Sequence, residues 1–222
     1  SGRTVLDVRY DALSGGRYGL AVHRSALFST LHDAVVAEGI AVRTGITLAK
    51  AETRQARTAL HDPDGEIVGD YDLVVDATGA RSQLVAASVA APHVRELAWG
   101  AFWATLDCEG IAHEAHALAQ RYDAARVMIG VLPVGRAKPG EGRKAAFFWS
   151  LKVADAEAVK AAGLRCWKAE ILDHWPETAP FLEQVTDWDQ LTLAHYAHRT
   201  ALPPFADGIV FIGDSAHSTS PQ

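Results

Sequence analysis

The sequence predicts an α/β protein that is interrupted by a long antiparallel sheet. Two strands of the buried type, residues 71–76 and 209–212, each run directly into a turn that contains glycine. Short apolar runs of this kind are typical of strands that are covered on both faces. Between them lie three aromatic-rich runs, residues 96–106, 125–134 and 144–153, which favour an antiparallel sheet.

This order divides the chain into three segments. Residues 1–84 are predicted to begin an α/β domain, residues 85–202 to form the inserted antiparallel sheet, and residues 203–222 to return to the first domain. The two strands that end in glycine turns then belong to one α/β sheet. Since open α/β sheets bind ligands at the carboxyl ends of their strands, both turns are expected to lie around one ligand.

The first segment is predicted to contain two short strands, a helix and a third strand. The strands are residues 4–10, 18–23 and 40–44. The helix follows His23 and ends near Gly39, a residue type that favours the C-terminal cap. Its apolar residues recur on one face, at Leu27, Phe28, Leu31 and Val35.

A β-meander is predicted next. Residues 54–60 and 66–69 are its strands, and the turn between them contains Pro63 and Gly65, which favour a tight reversal. After the aromatic strands, a helix is predicted from a cap at Asp155, with a break at Gly163. One more strand is predicted at 191–200, before the return to the first domain.

Composition excludes several classes of function. The chain of 222 residues carries a formal net charge of −6, whereas nonspecific nucleic-acid binding needs a basic surface. No apolar run approaches the roughly 20 residues that span a bilayer, and the first residues lack the apolar core of a signal peptide. Cys108 and Cys166 lack metal or redox spacing, so we expect reduced thiols in a cytoplasmic protein.

The familiar catalytic and nucleotide motifs are absent from the sequence. There is no Gly-x-Gly-x-x-Gly, and the glycines at 135 and 140 precede Glu141 where a phosphate loop needs lysine. A flexible hairpin loop is the better interpretation of that stretch. No serine stands in a nucleophile elbow. The histidine pairs at 113/116 and 195/198 offer too few ligands for a metal, so no metal site is predicted.

Asp214, directly after the strand at 209–212, has two interpretations. It is either a turn or cap residue, or a carboxylate that accepts hydrogen bonds from the hydroxyls of a ligand at the edge of the sheet. The residue pattern by itself does not favour one over the other.

The stretch 213–221, Gly-Asp-Ser-Ala-His-Ser-Thr-Ser-Pro, resembles the second flavin motif of FAD-dependent aromatic monooxygenases, the p-hydroxybenzoate hydroxylase-like family. In that family the motif aspartate binds the ribityl chain of the flavin. The resemblance implies this role for Asp214, with Gly213 and Pro221 in register.

Two further stretches resemble the same family. Residues 72–82 are similar to its middle motif, although Thr78 stands where the family usually has an aspartate, and Gly79 follows. The resemblance implies that both pack close to the cofactor. The stretch that begins at Arg24 resembles an Arg-x-x-Leu helix start, which implies that Arg24 lies near the FAD chain. Leu48 falls where the family's backbone meets the adenine.

The resemblance implies part of an FAD-binding, Rossmann-like domain with an inserted antiparallel-sheet substrate domain. It implies hydroxylation of an aromatic or similarly electron-rich small molecule, with FAD as cofactor and NAD(P)H and O₂ as co-substrates. The family's N-terminal dinucleotide fingerprint and the region that follows Pro221 lie outside this sequence, so we expect a fragment. Two alternatives stay open: a flavin-dependent halogenase or reductase, motivated by Thr78, and a non-catalytic fragment unable to hold FAD.

Overall fold

A computed structural model describes residues 2–10, 14–16, 18–88 and 93–219. Its helices are α1 (Arg24–Ala37), α2 (Gln83–Ser88), α3 (Ala156–Ala162), α4 (Leu164–His174) and α5 (Ala179–Glu183). The first strands are β1 (Lys50–Arg54), β2 (Arg57–His61), β3 (Ile67–Tyr71), β4 (Val74–Asp76), β5 (His93–Asp107) and β6 (Ala119–Asp123). The remaining strands are β7 (Val127–Gly135), β8 (Lys144–Lys152), β9 (Thr192–Thr200), β10 (Phe205–Ala206), β11 (Ile209–Phe211) and β12 (His217–Ser218).

The strands form three sheets. Strands β1, β2 and β3 make an antiparallel meander, as the sequence predicted. The order β10-β11-β4 makes a second sheet, and β12-β9-β5-β8-β7-β6 makes a six-stranded third sheet. The first strand of the meander differs from the prediction. A single strand at 54–60 is wrong, because Gln55 and Ala56 take positive φ angles of 50° and 63° and reverse the chain there.

The two strands that were predicted to share a sheet are direct neighbours. β11 runs parallel to β4, with Ile209 opposite Val74 and Phe211 opposite Asp76. Parallel strands end at the same edge of a sheet. The two glycine-containing turns therefore follow strands that end side by side.

The approach to β11 is held by two threonines of the meander. Thr53 Oγ1 donates a hydrogen bond of 2.6 Å to the carbonyl of Asp207, and Thr58 Oγ1 donates one of 3.2 Å to the carbonyl of Gly208. A Cβ at Gly208 would lie 2.1 Å from Thr58 Oγ1, so only glycine fits this close approach.

The strands predicted at 4–10, 18–23 and 40–44 are wrong for the residues that the structure describes there. These stretches contain no strand, and most of their side chains are exposed. An apolar alternation favours a strand, but a strand forms only where a neighbour accepts its backbone hydrogen bonds. None of the described residues pairs with these segments.

The inserted sheet and the helices after it were predicted well. The runs at 96–106, 125–134 and 144–153 correspond to β5, β7 and β8, and the run at 191–200 to β9. Gly163 separates α3 from α4 with a φ of 88°, as the predicted break requires. Sequence reasoning missed β6 and α2.

The chain separates into two compact units. One contains residues 1–39, 103–149 and 160–192, and its core surrounds Trp167, which makes edge contacts with Phe147 and Trp149. The other contains residues 40–102, 150–159 and 193–222. Its core is a cluster of Val74, Leu84, Val85, Ala201, Ile209, Phe211 and Ala216. The division at 84/85 and 202/203 stays a prediction.

Candidate functional site

The candidate site lies at the carboxyl ends of β4 and β11. The backbone N–H of Ile212 donates a hydrogen bond of 2.9 Å to the carbonyl of Asp76, which extends the pairing of the two strands to their ends. Gly79 then turns the chain with a φ of 91°, and Gly213 does so with a φ of 56°. Both angles lie in the left-handed region, where glycine carries no Cβ penalty.

Asp76, the last residue of β4, organises this edge. It is 1% exposed, and its carboxylate accepts hydrogen bonds from four donors. The backbone N–H and the hydroxyl of Thr78 donate to Oδ1 at 2.9 and 2.7 Å. Ser215 Oγ donates to the same oxygen at 3.1 Å, and Ser82 Oγ donates to Oδ2. We call these four residues the Asp76 cluster.

Two opposing effects act on the pKa of Asp76. Burial raises this pKa, because the charged form loses hydration. The hydrogen bonds from Ser82, Thr78 and Ser215 lower it, and together they outweigh burial, so the pKa lies below its ordinary value. Asp76 is therefore ionised at neutral pH.

Ser215 joins the two turns. Its buried hydroxyl accepts a hydrogen bond of 2.9 Å from the backbone N–H of Gly79. The same hydroxyl donates to Asp76 Oδ1 and lies 3.3 Å from the carbonyl of Gly79. The turn after β4 and the turn after β11 are thus held as one unit.

Ser82 connects the Asp76 cluster to the core. While it donates to Asp76, its Oγ faces the backbone N–H groups of Leu84 and Val85 at 3.2 and 3.4 Å. This is the arrangement of an N-terminal cap, and it satisfies donors in the first turn of α2. Leu84 and Val85 are both buried in the core of this unit.

Four of the residues predicted to contact a cofactor come together at this edge. Asp214 lies in the short 3₁₀ turn Gly213–Ser215, and its side chain is exposed. Thr78 and Gly213 are exposed, and Gly79 is half-buried. Leu48 belongs to the same compact unit, where it is half-buried and packs against the core cluster.

The other two predicted residues, Arg24 and Pro221, lie outside the described part of this compact unit. Arg24 is the exposed first residue of α1, which belongs to the other compact unit. The helix itself is confirmed, and His23 caps it by accepting a hydrogen bond of 3.2 Å from the N–H of Ser25. Pro221 lies outside the described residues. The role of each stays a prediction.

Sequence reasoning missed Asp76, Ser82 and Ser215 as site residues. All three are buried, and their hydrogen bonds hold the two turns that form the site. A signal for Asp76 was present in the sequence, because it ends the strand that runs into the Gly79 turn. Its contact with Ser215 spans 139 residues of sequence and could not be predicted from either motif.

The edge has the chemistry of a site for a ligand that carries hydroxyl groups. Asp214 offers an exposed carboxylate as a hydrogen-bond acceptor. A Cβ built at Gly79 or Gly213 would meet nothing within 4 Å, so open space lies beside both turns. An exposed acceptor beside open backbone can receive the hydroxyl donors of a ligand.

In the part of the chain that the structure describes, no group of three or more His, Cys, Asp or Glu side chains is placed to hold a metal ion. No helix in that part combines the length and the apolar character needed to cross a membrane.

Several solved structures are similar in fold to this chain. HpxO from Klebsiella pneumoniae, complexed with FAD and uric acid, matches with a TM-score of 0.68 and 18% identity over 90% of this chain and 49% of that one. A tetrameric form of 2-methyl-3-hydroxypyridine-5-carboxylic acid oxygenase matches with a TM-score of 0.71 and 16% identity, over 90% of this chain and 52% of that one. The chain shares the fold of these proteins. It spans about half of their length.

These matches confirm the predicted fold class in its coarse form, helices with antiparallel sheets arranged as in these structures. The Rossmann-like detail stays a prediction. No family model matches the sequence, and no curated protein does so either.

Proposed function

We propose that the chain is part of an FAD-dependent monooxygenase that hydroxylates an aromatic or similarly electron-rich small molecule with NAD(P)H and O₂. The observation that carries this proposal is the exposed carboxylate of Asp214 at the end of β11, beside the open turn that follows β4. The fold shared with HpxO, which was solved with FAD and uric acid, supports it.

In this proposal the chain binds and orients the cofactor. Asp214 accepts hydrogen bonds from the ribityl hydroxyls, and Thr78, Gly79 and Gly213 pack against the cofactor through open backbone. Leu48 contacts the adenine side, Arg24 lies near the pyrophosphate or the ribityl chain, and Pro221 continues the flavin motif. FAD would supply the redox and oxygen chemistry, while the protein supplies position and a water-poor surface.

The Asp76 cluster holds the site in shape before the cofactor arrives. Each of its members is fixed by hydrogen bonds within one compact unit. A preformed turn saves the entropy of ordering it on binding. We therefore assign the Asp76 cluster to positioning and Asp214 to direct contact.

We place the aromatic substrate beside the inserted sheet, near its aromatic strands. The rings of Trp103 and Phe148 lie with their centroids 4.6 Å apart. The ring of Phe148 covers Gly130, where an added Cβ would lie 1.9 Å from Phe148 Cζ. Phe148 is only 4% exposed, so this aromatic packing stiffens the sheet beside which the substrate would lie.

One observation favours a second candidate, a flavin-dependent halogenase or reductase. The hydroxyl of Thr78, where the resembling family has an aspartate, is engaged with Asp76 Oδ1 at 2.7 Å. Because threonine has no carboxylate, this position offers none toward a nicotinamide. If NAD(P)H oxidation by the full-length protein is coupled stoichiometrically to a hydroxylated product, the second candidate is excluded.

The central test is FAD binding by the full-length protein and its Asp214→Asn variant. We expect a yellow protein, and a loss of about tenfold to a hundredfold in FAD affinity for the variant, since a hydrogen bond to a charged group contributes about 1.5–3 kcal/mol. Asp207→Asn is the matched control, because Asp207 is exposed and precedes the opposite end of β11. A colourless wild-type protein would favour the non-catalytic alternative. Equal FAD affinity of Asp214→Asn and wild type would remove the assignment of Asp214.

A further inference from the structure

Arg199 is a buried cation in the same compact unit as the candidate site. It lies on β9, opposite Ser218 of β12, and only 8% of its surface is exposed. Arginine is rarely buried to this degree unless it is paired with an anion.

The guanidinium of Arg199 is only partly satisfied. Its Nη1 donates to the carbonyl of Ala80, the residue after Gly79. Its Nε is buried and has no hydrogen-bond partner among the residues that the structure describes. None of the ion pairs between described residues includes Arg199.

The buried acid of this unit does not neutralise it. Asp76 takes its hydrogen bonds from Thr78, Ser82 and Ser215. The cost of burying a guanidinium is met only by the partners that surround it. A single carbonyl dipole compensates that cost only in part, and an unpaired buried charge is costly.

We propose that Arg199 anchors an oxyanion site, at which its guanidinium pairs with a phosphate or carboxylate group of a bound ligand. The planar fork of N–H donors matches the geometry of two oxygens on such a group. The site adjoins the Gly79 turn through Ala80, whose carbonyl holds one arm of the fork. A carboxylate would come from an acidic substrate, and a phosphate from a nucleotide.

The test is the binding of inorganic pyrophosphate and of benzoate to the full-length protein, by calorimetry at constant ionic strength with chloride as the balancing anion. Pyrophosphate stands for the nucleotide and benzoate for an acidic aromatic substrate. We expect at least one probe to bind, and Arg199→Gln to weaken that binding at least tenfold. Arg81→Gln is the matched control, because Arg81 is exposed and follows Ala80 directly. It should change binding less than twofold.

Arg199→Lys keeps the test decisive if Arg199→Gln does not fold. It preserves the charge but loses the fork, so we expect a binding loss between those of wild type and Gln. Binding of neither probe by the wild type, or equal losses in Arg199→Gln and Arg81→Gln, would overturn the proposal. The absorbance of bound FAD, measured in parallel, separates the two proposals. If FAD binds but neither anion does, the proposed function stands and the Arg199 site is removed. If an anion binds but FAD does not, the Arg199 site stands and the proposed function is removed.

Discussion

The backbone N–H of Gly79 donates a hydrogen bond of 2.9 Å to the hydroxyl of Ser215, so the turn after β4 is tied to the turn after β11. The two residues are 136 positions apart in the sequence. Through this contact, Asp214 is held beside an open glycine turn.

Removing the hydroxyl in Ser215→Ala should both destabilise the protein and weaken FAD binding. The N–H of Gly79 and one oxygen of Asp76 would lose a partner in a buried site, which costs about 1–3 kcal/mol. Urea unfolding of the wild type and of Ser215→Ala measures the change in the free energy of unfolding. Thr219→Ala, at an exposed position nearby, should change the free energy of unfolding by less than about 0.5 kcal/mol. Equal stability of Ser215→Ala and wild type would contradict the tie between the turns.

The substitution Asp76→Asn should cost more than Ser215→Ala. In the variant, the N–H donors of the amide would face the groups of Thr78, Ser82 and Ser215 that donate to the carboxylate in the wild type. We expect a loss of about 3 kcal/mol in the free energy of unfolding. Asp72→Asn is the control, since Asp72 is an exposed acid in an ion pair with Arg57 at 2.7 Å. Surface pairs contribute about 0–1 kcal/mol, so comparable losses in both variants would contradict the assigned role of Asp76.

The contribution of Asp76 should depend on pH in a defined direction. Its pKa in the folded protein lies below the ordinary value of 3.8. The folded state therefore binds this proton less readily than the unfolded state, and stability from Asp76 is fully present above the unfolded pKa. It is lost as the pH falls below that value and through the folded pKa. The stability difference between wild type and Asp76→Asn should be constant from pH 7 to about 5 and shrink below about 4. A difference independent of pH over that range would exclude this linkage.

A methyl group at Gly79 should separate cofactor binding from backbone strain. Gly79 and Gly65 have nearly equal φ angles, 91° and 87°, and a Cβ at either would meet nothing within 4 Å. Gly79→Ala and Gly65→Ala should therefore cost similar stability, about 1–2 kcal/mol. Only Gly79→Ala should weaken FAD binding, since Gly65 lies in the turn of the meander. Fluorescence titration with FAD measures this, and equal affinities for both variants would place Gly79 away from the cofactor.

Local patterns predicted much of the fold. Aromatic and apolar runs marked β5, β7, β8 and β9, because long buried strands carry their signal in consecutive residues. Gly163 marked the break between two helices, since its backbone conformation is a local property. The runs at 4–10 and 40–44 carry the same kind of pattern, yet no described strand accepts their hydrogen bonds.

For the site, the sequence predicts a strand that is followed by Asp214 in a glycine turn, which is a property of consecutive residues. The folded chain adds what no local pattern predicts. β11 runs parallel to β4, the hydroxyl of Ser215 accepts from the N–H of Gly79, and the carboxylate of Asp76 accepts from four donors. These contacts join segments that are far apart in the chain. They depend on the register in which two strands pair. Asp76 and Arg199 become buried only when those segments pack against each other.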